Sequence, residues 1–298
     1  MTANDNENWQ RQAQAQTEDI LHGLLPPETQ NPQQLHQAMR YSVLDGGKRL
    51  RPLLAFAAAQ LGTPEPQALK QAAAAVELIH VYSLVHDDMP AMDNDSLRRG
   101  KPTCHVRFGE AAALLAGDAL QTLAFDILSR PTALPPARQL RMLAVLAQAS
   151  GSRGMAGGQA IDLAHVGCGM TQARLEQMHG MKTGALIRAA AALGALSCPD
   201  LDDATLNRLD LGMCKLGLAF QVIDDVLDCE ADTATLGKTA GKDAEQDKPT
   251  YVRLMGLAAA REYAETLSAQ ASALFADAFG SRAQRLLGLA DFITARRH

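Results

Sequence analysis

An all-α fold is what this sequence predicts, and three observations carry the prediction. Nearly every long segment places its apolar residues at helical period, and no stretch shows the sustained alternation of a strand. Hydrophobic residues make up 47% of the 298 positions while aromatics make up only 4%, so Ala and Leu, both strong helix formers, must fill the core. No Gly/Ser-rich linker, low-complexity tract or fixed-period repeat divides the chain, which reads as one large helical domain over 1–298.

Helices are expected at about 7–22, 32–45, 51–61, 66–88, 108–129, 137–165, 171–196, 202–230, 250–275 and 281–296. Breakers separate them: Pro26-Pro27, Gly46-Gly47, Gly62-Thr63-Pro64, Pro131, Pro135-Pro136, Cys198-Pro199 and Gly237. Asp200, Asp202 and Asp203 supply N-cap and first-turn acids for the helix that follows. Residues 231–249 lack apolar period, are rich in Gly, Lys and Thr, and are expected to form a mobile loop.

Composition excludes several functions. A net charge of -5, from 28 basic and 33 acidic residues, argues against a general binder of nucleic acid or of anionic membranes. The five cysteines (Cys104, Cys168, Cys198, Cys214, Cys229) form no C-x-x-C pair, so free thiols in a reducing compartment are expected rather than disulfides or zinc. Residues Met1 to Asp19 are polar and give no secretory signal. The most apolar run, near Ala185–Cys198, is interrupted by Arg188 and is too short to span a bilayer. A soluble, cytoplasmic protein is expected.

Two aspartate clusters stand out, Asp87-Asp88-Met89-Pro90-Ala91-Met92-Asp93 and Asp224-Asp225-Val226-Leu227-Asp228, each directly after an apolar helical stretch. Acids at the end of a buried face are costly unless something positive holds them, and carboxylate oxygens are hard ligands suited to Mg²⁺. Asp224 and Asp228 share a helix face, where their repulsion calls for a cation between them; a solvated acidic face is the alternative. Asp87 and Asp93 would lie about 120° apart on a straight helix. Pro90 removes an N–H between them, so the chain is expected to loop out and bring Asp93 back toward Asp87. Arg98 and Arg99 follow at once, fit to take phosphate oxygens, or to form surface ion pairs with the acids.

Three further basic elements punctuate the chain. In Gly46-Gly47-Lys48-Arg49-Leu50-Arg51-Pro52 the glycines free the backbone, and Lys48 and Arg51 can converge on an anion, although P-loop spacing is missing. In Gly180-Met181-Lys182-Thr183-Gly184 the lysine can snorkel or meet a phosphate. Lys238, Lys242 and Lys248 sit in the 231–249 loop as lid charges or as ordinary solvated ones. His80 lies two turns before Asp87 on one face, as a core histidine or a ligand. Gly157-Gly158 inside a helix implies close packing or a kink, turning Gln159 and Asp162 inward.

Taken together and in order, G-G-K-R-L-R-P, H-D-D-x-x-x-x-D-x-D-x-x-R-R-G, G-G-Q-x-x-D, K-T-G, F-Q-x-x-D-D-x-x-D and G-K-x-x-G-K-D…K-x-T-Y resemble the trans-isoprenyl diphosphate synthases, most closely the bacterial farnesyl type. The resemblance runs from Gly46 to Tyr251 with no essential position missing. It implies a bundle of about a dozen helices, of the isoprenoid synthase type, around a deep central cavity, usually in a homodimer. By motif, Asp87, Asp88, Asp93, Asp224, Asp225 and Asp228 would hold three Mg²⁺, some through water, with Mn²⁺ an acceptable substitute. Arg98, Lys182, Thr183, Gln221, Lys238 and Lys248 match contacts to the allylic substrate, dimethylallyl or geranyl diphosphate. Lys48, Arg51, His80 and Arg99 match the isopentenyl diphosphate site. The diphosphate that leaves gets the metals, and the one that stays bonded gets Lys, Arg and His only. The carbocation would face the dipoles of Lys182, Thr183 and Gln221, and the released diphosphate would take the proton, so no protein base is expected.

Tyr82 and Ser83 precede Asp87 by one turn, about 6–7.5 Å. In the family an aromatic there, with the two extra residues Pro90-Ala91, accompanies a fifteen-carbon product; the alternative is an ordinary core tyrosine with its hydroxyl bonded. Three rivals are weighed. Terpene cyclases carry an N-D-x-x-S-x-x-x-E second motif that this chain lacks, and non-catalytic partner subunits lose aspartates that are intact here. Geranylgeranyl or another short-chain synthase is the enzymatic alternative.

Overall fold

The computed structural model describes residues 3–44, 46–230 and 249–294. Lys238, Lys242, Lys248 and the end of the last expected helix lie outside them, as does nearly all of the expected loop. In chain order the helices are α1 (Ala3–Leu24), α2 (Gln33–Val43), α3 (Leu50–Ala59), α4 (Pro66–Asp87), α5 (Cys104–Phe108), α6 (Glu110–Ser129) and α7 (Pro136–Ser150). They continue with α8 (Met155–Leu163), α9 (Gln172–His179), α10 (Ala185–Leu196), α11 (Asp203–Glu230), α12 (Tyr251–Met255), α13 (Leu257–Phe279) and α14 (Gln284–Thr294). Strand structure among the described residues is a two-residue ribbon, Leu97–Arg98 (β1) against Lys101–Pro102 (β2). The all-α expectation holds.

α4 is the central helix because it is apolar all round. Ala72 through Val76, Leu78 and Ile79 are fully buried, with α3, α6 and α10 packed about them. Glu65 caps its start, accepting from the backbone N–H of Gln67 (3.2 Å) and Ala68 (2.6 Å), and Pro66 occupies the first turn where its missing N–H costs nothing. Small residues set the helix spacing. A Cβ on Gly194 of α10 would lie 2.0 Å from the Ala55 carbonyl of α3. One on Gly212 of α11 would lie 2.2 Å from the Phe275 ring of α13.

Where the helices depart from the sequence expectation, glycine is the reason. The expected 108–129 and 250–275 helices each break at a glycine in left-handed backbone, Gly109 (φ 89°) and Gly256 (φ 85°). The expected 137–165 helix divides at Gly151–Gly154, where a side chain at 154 would meet the Ala149 carbonyl at 2.1 Å. The 171–196 segment stays helical but widens into a π-helical turn over Gly180–Gly184.

The two ends of the bundle are tied together. Arg285 of α14 donates to the Asp5 carbonyl (3.2 Å) and stacks over the Trp9 ring of α1 at 5.0 Å. Arg282 donates to the Leu61 carbonyl after α3 (2.5 Å). A different surface is unusual. The apolar helix to note is α6 rather than the 185–198 run: by length and composition alone α6 could cross a membrane, and only 39% of its most apolar window is buried.

Candidate active site

A cavity of about 640 Å³ opens between α4, α8, the π turn and α11. Lys48, Arg51, His80 and Arg99 are among its lining residues. Asp87, Arg98, Lys182, Thr183 and Asp224 line the rim, and Tyr82 and Ser83 the wall below Asp87.

The first aspartate cluster folds as its proline demands. α4 ends at Asp87, and the Asp93 N–H turns back to the Asp87 carbonyl at 2.9 Å. The Asp87 carboxyl is pushed up to about 6, by burial first and then by Asp93 and Asp88, with Lys182 and Arg98 opposing. The carboxylates here are hard oxygen donors carried on two helices, Asp87 at the end of α4 and Asp224 on α11. Among the described residues no three His, Cys, Asp or Glu side chains make a ready metal cage. That suits an ion which keeps water and phosphate oxygens as its other ligands, as Mg²⁺ does.

Two of the six aspartates are turned elsewhere. Asp88, 3% exposed, takes Arg98 in a two-pronged pair, Nε at 2.8 Å from both oxygens and Nη2 at 2.6 Å from one. Geometry thus gives Asp88 the work of aiming Arg98, and it offers no support for direct metal ligation. Asp225 accepts the Tyr251 backbone N–H (2.9 Å) and the Gln221 amide (3.1 Å). Gln221 in turn accepts the Thr183 hydroxyl (2.9 Å). Asp225 therefore holds a polar chain that orients Thr183 and ties down the start of α12. Asp228 is half-buried one turn beyond Asp224.

On the other side, Arg99 sits at φ 54° in the tight β1–β2 turn with Gly100 (φ 73°), a conformation non-glycine residues rarely take. Its guanidinium rests on Gly46-Gly47, where a Cβ on Gly47 would meet Nη2 at 2.6 Å. The glycines, expected to let backbone approach an anion, admit this arginine. Burial pushes Arg51 down to about 10, against Glu77 and Asp224, with Arg99 adding to the fall. His80 is held well below its usual range by burial and by Arg51, Arg99, Arg98 and Arg49. It is thus neutral near pH 7, a hydrogen-bonding group rather than a third cation.

Sequence reasoning missed two supports. Arg49 is buried and bonds Glu18 (2.7 Å), Glu77 (2.8 Å) and the Val43 carbonyl (2.5 Å), fixing the loop that carries Lys48 and Arg51. Glu77, an acid inside the apolar run of α4, was the available signal. The other is Asp162, 5% exposed, which holds Lys182 Nζ at 2.6 Å; its inward face was foreseen, its partner was not.

The architecture is the all-α isoprenoid synthase fold. It superposes at TM-score 0.87, with 31% identity over 97% of each chain, on a geranyltransferase of Helicobacter pylori whose structure holds magnesium and isoprenyl diphosphate. The chain belongs to the polyprenyl synthetase family, whose model matches residues 32–277. It is 53% identical to the farnesyl diphosphate synthase of Escherichia coli over 234 residues, 78% of either chain. It is 45% identical over 270 residues to geranylgeranyl pyrophosphate synthase 7, chloroplastic, of Arabidopsis thaliana, covering 90% of this chain and 78% of the relative.

Proposed function

We propose that this chain, as a single catalytic domain, is a magnesium-dependent prenyltransferase. It would join isopentenyl diphosphate to dimethylallyl and then geranyl diphosphate, releasing farnesyl diphosphate. One observation carries the proposal: a single cavity is lined by acids (Asp87, Asp224), by cations and a histidine (Lys48, Arg51, Arg99, His80) and by apolar side chains (Leu50, Met155, Phe220). That mixture suits two diphosphates with different fates and an apolar tail.

The allylic diphosphate belongs at the rim, where Arg98, aimed by Asp88, and Lys182, aimed by Asp162, meet its oxygens. Asp87, Asp93, Asp224 and Asp228 would hold Mg²⁺, which supplies Lewis acidity to the departing diphosphate. As the C1–O bond breaks, Thr183, Gln221 and the carbonyls of the widened turn face the allylic cation. Isopentenyl diphosphate, held by Lys48, Arg51, His80 and Arg99, brings its double bond to C1. The new C–C bond forms from that electron pair, and the proton lost leaves with the departed diphosphate. Lys238 and Lys248 belong to the same proposal as allylic contacts.

A tail growing away from the metals would pass Tyr82 and Ser83, which line the cavity, and a tyrosine there favours fifteen carbons over the twenty of the geranylgeranyl reading. The exposed Leu114 (47%) and Leu115 (55%) of α6 support a homodimer through that face. The free thiols fit work in a reducing cytoplasm. Incubating the purified chain with isopentenyl and dimethylallyl diphosphates and Mg²⁺, then sizing the products, tests the proposal. Fifteen-carbon diphosphate lost on chelation is the expected result. A cyclised hydrocarbon, or no prenyl product at all, would overturn it.

A further inference from the structure

The loop that carries Lys48 is held from outside. Residues 46–49, between α2 and α3, have no regular structure. Gly47 (φ 90°) and Arg49 (φ 50°) both lie in left-handed backbone, which a non-glycine residue takes only where its surroundings impose it. Part of that restraint comes from α1, which lies ahead of the residues that the family model matches. Gln14 Nε2 donates to the Lys48 carbonyl at 2.9 Å. Glu18, one turn on, accepts from Arg49 Nε at 2.7 Å and lies 2.6 Å from its Nη2. Ala13, Thr17 and Leu21 are buried and seat α1 against α3 and α4. The half-buried Gln14 and Glu18 form an i,i+4 pair beside that stripe, turned to the loop.

Arg49 has a second anchor in Glu77 of α4, at 2.8 Å and one turn from His80. The side chains of Arg49 and Glu77 are 1% and 2% exposed, whereas that of Glu18 is 36% exposed. Glu77 therefore keeps Arg49 paired when Glu18 is replaced, and no buried charge is stranded. What goes is the aim of the guanidinium and of the backbone behind it. Lys48 precedes Arg49, Arg51 lies two residues beyond it, and both line the cavity. We propose that Gln14 and Glu18 are positioning residues for isopentenyl diphosphate, holding Lys48 and Arg51 in the geometry that meets its oxygens. The inference rests on the prenyltransferase reading and extends it to a helix with no residue in the cavity lining.

The test compares full-length wild type with Gln14→Met, Glu18→Met, Glu18→Gln and the control Gln16→Met, an exposed position on the same helix. Each receives isopentenyl and dimethylallyl diphosphates with Mg²⁺; kcat and both KM values are measured for the first condensation, and Tm in chelator. Gln14→Met is expected to raise KM for isopentenyl diphosphate about fivefold, the worth of one neutral hydrogen bond. Glu18→Met is expected to raise it about tenfold, since the bond it deletes is to a charged group. The allylic KM and kcat stay within about twofold, because Arg98 and Lys182 are carried on other segments. Glu18→Gln keeps an oxygen for the guanidinium and shows a smaller rise, about two- to threefold, while Gln16→Met changes none of the three constants. A merely structural role would lower Tm without separating the two KM values. Folded Gln14→Met and Glu18→Met with a wild-type KM for isopentenyl diphosphate, or with equal rises in both KM values, overturn the inference while the prenyltransferase reading stands. Where a Met variant does not fold, the near-isosteric Glu18→Gln decides, and an unchanged KM there overturns the inference. A wild type that forms no prenyl diphosphate overturns both.

Discussion

Asp87 bears much of the electrostatic cost at the rim, and its titration gives that cost a sign. Its folded pKa, about 6, lies above the ordinary 3.8, so between those values the folded chain binds the extra proton. Stability is therefore greatest below that window and is lost as pH rises through it. Asp87→Asn should make the metal-free protein more stable at pH 8, on the order of 2 kcal/mol, with the gain fading toward pH 4. Urea titrations in chelator at both pH values check this, and turnover of the same variant should fall by orders of magnitude. The cationic groups should separate in kinetics. Arg51→Ala should raise KM for isopentenyl diphosphate and Arg98→Ala that for the allylic partner, each by about ten- to a hundredfold, the worth of a charge-assisted bond. Equal shifts in both KM values for both variants would contradict the partition. Asp87 and Asp224 were legible in the sequence because local spacing and flanking apolar runs announce them. Pairing of Arg98 with the neighbouring acids was weighed as a surface alternative and proves a buried Asp88–Arg98 pair, whereas Asp162–Lys182 was not legible, since a pairing made between separate segments leaves no period to read.

At the scale of elements, the glycines legible as close-packing points proved to be that. A Cβ on Gly158 of α8 would lie 2.2 Å from the Lys182 backbone nitrogen and 2.5 Å from its Cα. Gly158→Ala must therefore push α8 off the π turn that carries Lys182 and Thr183. A stability loss of about 1–3 kcal/mol is expected, typical of overpacking. Turnover should fall more than allylic KM rises, because the widened turn moves while Arg98 stays. Denaturant titration with steady-state kinetics measures both. The π turn itself was not legible: K-T-G inside an apolar run keeps ordinary helical period, and one extra residue in a turn is decided by what packs against it. The breaks at Gly109 and Gly256 were missed for the opposite reason, because a lone glycine is tolerated inside many helices and only its φ reveals the stop.

For the whole molecule, the apolar pattern made the helical class legible, while the dimer contact proposed above is assigned to α6. Its exposed Leu114 and Leu115 continue onto Val106 of α5 in sequence, also exposed at 53%. Leu115→Glu should convert a dimer to monomer in sedimentation equilibrium, at little cost to folding since the side chain is bare in the single chain. A wild type that sediments as a monomer would place the use of that face elsewhere.

The clasp between α1 and α14 has a consequence in time. The groups that meet there, Asp5 and Arg285, are made far apart in synthesis, as are Leu61 after α3 and Arg282 before α14. At roughly 5–20 residues per second, α1 waits on the order of half a minute for α14 to emerge. For the first part of that interval α3 and α4 exist without α10 to cover them, so their alanine-rich faces must be shielded by something other than the finished bundle. A nascent chain of this design should depend on the chaperones at the ribosome exit more than a fold of local contacts would. Pulse-labelled chains should acquire protease resistance only after release, in one late step.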